Sequence, residues 1–177
     1  MTTNKSLSSI EYKKILYVTD LSETGRKAFP HAASVARRCN SQLTVFHVVS
    51  DERLDTLLGY VNEELWQDLT HRDLEDAKQV LLSRKRERVK IEQHVEQVCD
   101  GCIDPNSDQP EVVYDVKVGM GDPLEKILEE ANHGGYDLLV ISKHGYRFSV
   151  KDAVMGDTAR RVVRRCQIPV LVVPVSE

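Results

Sequence analysis

No run of apolar residues in this 177-residue chain approaches the roughly 18 or more needed for a membrane-spanning helix. Positive charge is not in excess either. The 24 Lys and Arg against 28 Asp and Glu leave a formal net charge of −4, a balance that favours neither nucleic acid nor an anionic membrane surface as partner. The first eleven residues, Met1 to Glu11, are polar and rich in Ser and Thr, without the apolar centre of a secretory signal. A cytoplasmic location is therefore expected, where the four cysteines would not form a disulfide framework. No Gly-x-x-x-x-Gly-Lys-Ser/Thr loop is present, which excludes a P-loop ATPase. No motif pairs a nucleophile with a base.

What is present is ordinary for one globular domain. Hydrophobic residues make up 41% and charged residues 29%, and a domain takes roughly 100–200 residues. Residues 1–11 read as a flexible N-terminal segment and 12–177 as the domain. Tyr12 to Thr19, Gln42 to Val49, Glu111 to Val118, Tyr136 to Ser142 and Pro169 to Val175 are short apolar runs that read as strands. Between them lie segments of helical spacing. Ser22 is expected to cap the first, with Phe29, Ala32, Ala33 and Ala36 inward, Cys39 as a small buried hydrophobe, and Pro30 as a kink or restart. Arg53 to about Arg86 reads as a long helix with a solvated basic end, and 91–110 as an irregular insertion. Asp122, Pro123 and Glu125 form a helix-start pattern ahead of Leu124, Ile127, Leu128 and Ala131. Thr158 to Cys166 closes the series, with Ala159, Val162, Val163 and Cys166 on one face. Strands alternating with helices predict an α/β fold: one doubly wound, five-stranded parallel sheet with helices on both faces.

Such sheets bind ligands beyond the strand C-termini, where the winding reverses. Asp20 ends the first strand, and its carboxylate would accept from an adenine amine or a ribose hydroxyl. The loop after Ser142 carries Gly145 and Gly156, the cations Lys143, Arg147 and Lys151, and His144. Gly156-Asp157-Thr158 opens a helix whose N–H groups favour an anion. Together these residues suggest a phosphate cradle. A plain alternative is that Asp20 satisfies a turn and the cations are solvated. His144 reads as a phosphate contact or turn residue ahead of an acid–base role. A phosphoacceptor receiver domain is excluded because strand three ends Lys117-Val118-Gly119, without the required aspartate.

From Tyr12 to Val175 the chain resembles the universal stress proteins. The resemblance is carried by KKILYVTDLSE (13–23), LTVFHVV (43–49), GDPLEKILEEA (121–131), and YDLLVISKHG followed by GDTARRVVRRCQIPVLVV, in that order. It implies the strand order 3-2-1-4-5, a homodimer, and, in one branch, ATP held by a glycine-flanked loop; pairing of the last strand, Val170 to Val175, across a two-fold axis would bury its apolar edge. Carried over by position, Val18, Asp20 and Val48 would lie at the adenine side. Ile141, His144 and Gly145 match the start of the phosphate loop, and Gly156 its closing glycine. Ser142 stands where the first glycine belongs, ten residues instead of nine separate Gly145 from Gly156, and Asp157 stands where a phosphate-facing Ser or Thr belongs. Magnesium would offset the charge of Asp157, and Thr158 could supply the hydroxyl instead. The function implied is a non-catalytic stress-response protein with an ATP crevice and a protein partner that the sequence does not name. A slow ATP hydrolase or nucleotide-dependent switch is the first alternative.

The second alternative rests on Cys99-Asp100-Gly101-Cys102, which the resemblance does not explain. Such a pair could hold zinc, with His94 and Asp100 or Asp104 as further ligands, or act as a redox couple in a sensing adaptor.

Overall fold

The computed structural model describes residues 10–50, 74–102, 112–143 and 155–174. Within them five strands form one parallel sheet: β1 (Lys14–Thr19), β2 (Gln42–Val49), β3 (Tyr114–Met120), β4 (Leu138–Ser142) and β5 (Val170–Val173). Their order is β3-β2-β1-β4-β5, as the family resemblance implied. The helices are α1 (Glu23–Cys39), α2 (Leu74–Asp100), α3 (Pro123–His133) and α4 (Asp157–Arg165).

The period-2 alternation of β1 divides the core. Ile15 and Tyr17 point to one face, where Ala28, Phe29, Ala32, Ala33 and Ala36 of α1 and Val95 and Cys99 of α2 cover the sheet. Leu16 and Val18 point to the other, covered by Leu124, Ile127, Leu128 and Ala131 of α3 and Ala159 and Val162 of α4. Because both faces are buried, the inner strands β1 and β4 read as apolar runs, whereas the edge strand β3 alternates. The alanines of α1 let that helix approach β1 closely, and Phe29 fills the space between Tyr17 and Tyr114, with ring centroids 5.6 and 5.5 Å away.

Helix starts follow local chemistry. Ser22 Oγ accepts from Gly25 N at 3.0 Å, and Asp122 Oδ1 from Glu125 N at 2.9 Å. Glu125 does not return the bond in a capping box; its carboxylate pairs with Arg165 at 2.9 Å. Pro30 neither starts nor ends α1. It lies within the helix on its exposed side, where the carbonyl deprived of its donor can turn to water.

Four expectations are corrected. The stretch after Ile91 is not irregular as far as Asp100, because α2 runs through it, and Val95 and Cys99, one turn apart, are buried. Cys39 is exposed at the end of α1, and Val163 is 42% exposed on the outer side of α4. Strand three begins at Tyr114 and not at Glu111, and runs on to Met120. The first part of the long helical region, 53–73, lies outside the described residues. No helix among the described residues is long and apolar enough to cross a membrane.

Candidate functional site

A cleft of about 660 Å³ opens at the C-terminal ends of β1, β2 and β4. β1 lies between β2 and β4, so chain connections leave it in opposite directions and the helices after it diverge to opposite faces. Eight of the residues singled out from sequence line this one cleft: Val18, Asp20, Val48, Ile141, Ser142, Gly156, Asp157 and Thr158. His144 and Gly145, with Arg147 and Lys151, lie outside the described residues.

Three parts of the cleft differ in character. Val18 and Ile141, register partners on adjacent strands, form with Val48 and Ile127 an apolar wall. Ser142 is buried at the end of β4. Asp20 sits on a tight turn. Its Oδ1 accepts from Ser22 N at 3.0 Å and from Ser22 Oγ at 2.5 Å, so the turn role is present. Leu21 follows with φ 62, a left-handed conformation that costs a non-glycine residue about 1–2 kcal/mol. Thr19 Oγ1 accepts from Leu21 N at 3.0 Å and Arg26 Nε donates to Leu21 O at 3.0 Å, which holds the turn against that strain. Gly25 completes it. A Cβ there would lie 2.6 Å from Asp20 Oδ1, so only glycine lets the first turn of α1 approach the carboxylate.

On the far side, α4 begins at Gly156, which offers no side-chain cap to the N–H groups of the first turn. Asp157 is exposed and paired. Its Oδ1 accepts from Arg160 Nη2 at 2.7 Å, and Oδ2 lies 3.7 Å from Arg161 Nη1. The family position of Asp157 suggested an open charge facing a phosphate; instead two cations of the same helix attend it.

Sequence reading missed Thr19, His47, Val49, Ser50, Pro123, Ile127 and Ala159 as cleft residues. His47 was detectable, since it stands near the C-terminal end of β2. Its Nδ1 lies 2.9 Å from the carbonyl of Thr19, and because a carbonyl only accepts, the proton is on Nδ1. Pro123 and Ile127 belong to α3, and only its packing brings them to the cleft.

Cys99 and Cys102 do not belong to this cleft. Cys99 is buried in the last turn of α2 and Cys102 half-buried just beyond, its Sγ donating to Val98 O at 3.2 Å. Among the described residues no three His, Cys, Asp or Glu side chains come together as metal ligands. His94 is exposed, on a different side of α2 from Cys99, and Asp100 accepts from the Tyr114 hydroxyl at 2.6 Å. Burial pushes the Cys99 thiol up to about 12 and raises that of Cys102, the opposite of what a reactive thiolate needs.

The sequence profile of the Universal stress protein family matches residues 11–174. Universal stress protein MJ0577 of Methanocaldococcus jannaschii is 26% identical over 176 residues, covering 93% of this chain and 96% of that protein. The solved structure of MJ0577 aligns with a TM-score of 0.58 at 24% identity, over 95% of this chain and 99% of that one. A universal stress protein solved in complex with cAMP aligns at 0.57 with 16% identity, over 94% and 100%. One from Archaeoglobus fulgidus in complex with dAMP aligns at 0.50 with 16% identity, over 92% and 98%. At these identities the structural matches establish the fold alone. The profile match, spanning the whole described sheet from before β1 to beyond β5, means that the chain belongs to the universal stress protein family.

Proposed function

We propose that this protein acts by binding an adenine nucleotide in the cleft between β1 and β4, as a stress-response protein without chemistry of its own. The observation that carries the reading is convergence: eight residues chosen from sequence for an adenylate line a single cleft at the reversal point of the sheet. Val18, Val48 and Ile141 would flank the adenine ring, and the Asp20 carboxylate would accept from its amine or from ribose. The uncapped first turn of α4 at Gly156, with Ser142 and Thr158, would receive phosphate. ATP would enter with magnesium, a cation that takes oxygen ligands of the kind Asp157 and the phosphates offer. Solved relatives of this fold in complex with cAMP and dAMP support an adenylate as ligand class.

The working unit in this reading is a homodimer paired through β5, in the cytoplasm. Calorimetric titration of nucleotide-free protein with ATP and magnesium tests the binding reading. Saturable binding is expected, weakened about tenfold or more in Asp20→Ala, as loss of one charge-assisted hydrogen bond implies. No heat of binding at millimolar ATP or AMP would sink it.

A further inference from the structure

His47 lines the cleft near the C-terminal end of β2 and is half-buried there. Its register partner on β1 is Thr19, the residue before Asp20. Because Nδ1 donates to the Thr19 carbonyl at 2.9 Å, both the orientation of the ring and its tautomer are fixed. In the neutral ring Nε2 then carries a lone pair and no proton. Among the described residues no group hydrogen-bonds Nε2. No side-chain nitrogen or oxygen of those residues is both buried and unpartnered, so Nε2 is open to solvent. The neighbouring acceptor is already engaged: Asp20 Oδ1 receives Ser22 N at 3.0 Å and Ser22 Oγ at 2.5 Å.

What can meet Nε2 follows from its chemistry. A neutral imidazole nitrogen without a proton accepts and does not donate. A phosphate oxygen also accepts, so against Nε2 it would leave two lone pairs facing each other. An adenine nucleotide carries its donors at the nucleoside end, in the amine of the base and the hydroxyls of ribose. The ring of His47 therefore suits the nucleoside end of such a ligand and not its phosphate end.

Resting on the adenine-nucleotide reading, we propose that His47 is a specificity-determining residue whose Nε2 accepts a hydrogen bond from the nucleoside and so holds that end of the ligand against β2. The donor is the base amine or a ribose hydroxyl, and analogues lacking one or the other tell the two apart. An analogue without the donor leaves Nε2 shielded from water and unpartnered, and that loss is the source of the selectivity.

The test titrates nucleotide-free protein with AMP, inosine monophosphate, 2′-deoxy-AMP and 3′-deoxy-AMP at pH 8, where imidazoles are ordinarily neutral. One analogue is expected to bind about fivefold or more weakly than AMP. That analogue is inosine monophosphate if the amine is the donor, and a deoxynucleotide if a hydroxyl is. In His47→Phe the same preference should fall to about twofold or less. A ring that only ties β2 to β1 would, on removal, weaken all four ligands together and leave their ratios unchanged. If the variant does not fold, nitrogen-15 NMR of the wild type reads the contact directly, because the Nε2 resonance of His47 should move when AMP saturates the protein. Equal affinity for all four ligands, a preference unchanged in His47→Phe, or an Nε2 resonance that AMP leaves in place overturns the proposal while nucleotide binding stands. Binding of none of the four overturns the nucleotide reading and this one with it.

Discussion

Burial gives Cys99 a chemistry opposite to that of the motif it belongs to. In the folded protein its thiol holds its proton up to about pH 12, against an ordinary value of 9.0, chiefly because the site is desolvated. Between those two values the unfolded chain has lost the proton and the folded chain keeps it, so the unfolded state is favoured as pH rises. The stability from this group is fully present below pH 9 and is lost as pH rises towards 12. Urea titrations should therefore show stability falling over that range, with a shallower fall in Cys99→Ala. Thiol labelling at pH 8 should modify exposed Cys39 quickly and Cys99 only after unfolding. Rapid labelling of Cys99 in the native protein would revive the redox reading.

At the scale of elements, both ends of α1 are unusual, and its start, at the Asp20–Ser22 turn, borders the cleft. At its start the Asp20–Ser22 turn stores strain at Leu21; at its end Asn40 caps the helix with φ 52, its N–H reaching Ala36 O and Arg37 O. Asparagine tolerates that left-handed conformation, glycine adopts it freely, and a β-branched residue does not. Asn40→Gly is expected to change stability by no more than a few tenths of a kcal/mol, whereas Asn40→Val should cost about 1–2 kcal/mol. Denaturant midpoints at constant m-value check both. Equal losses in the two variants would mean that the Asn40 side chain, and not its backbone angle, closes the helix.

Across the whole molecule, the two sheet edges differ. β3 carries Asp115 and Lys117, both exposed, and Lys117 reaches Glu130 of α3 at 2.5 Å. Charges of this kind protect an edge from pairing with another chain. β5 is Val170-Leu171-Val172-Val173, apolar throughout, with the first three residues only half-buried. An open edge of that composition invites a second copy, and a two-fold axis satisfies both at once. Light scattering is expected to give the mass of a dimer, and Leu171→Lys that of a monomer with unchanged circular dichroism. A wild-type monomer at micromolar concentration would remove the β5 interface.

The inner strands were legible in the sequence because two-sided burial writes them as apolar runs; β2 was read to its ends, whereas the start and end of the edge strand β3 were misplaced. The starts of α1 and α3 were legible because Ser22 and Asp122 cap through local hydrogen bonds that need no tertiary partner. The strand order followed from the resemblance, and most of the cleft followed once β1 and β4 were taken as neighbours. Other features depend on contacts distant in the chain. Ile91, Val95 and Cys99 do stand at helical spacing, but among charged neighbours they became a helix face only when α1 and β3 covered them. Pro123 and Ile127 entered the cleft through the docking of α3 on the sheet. The charge that answers Glu125 was decided by folding, because α4 brings Arg165 to it from 40 residues further along the chain. Local pattern fixes which residues form an element and where it starts. What a side chain faces, and which charge answers it, is set by elements that meet only in three dimensions.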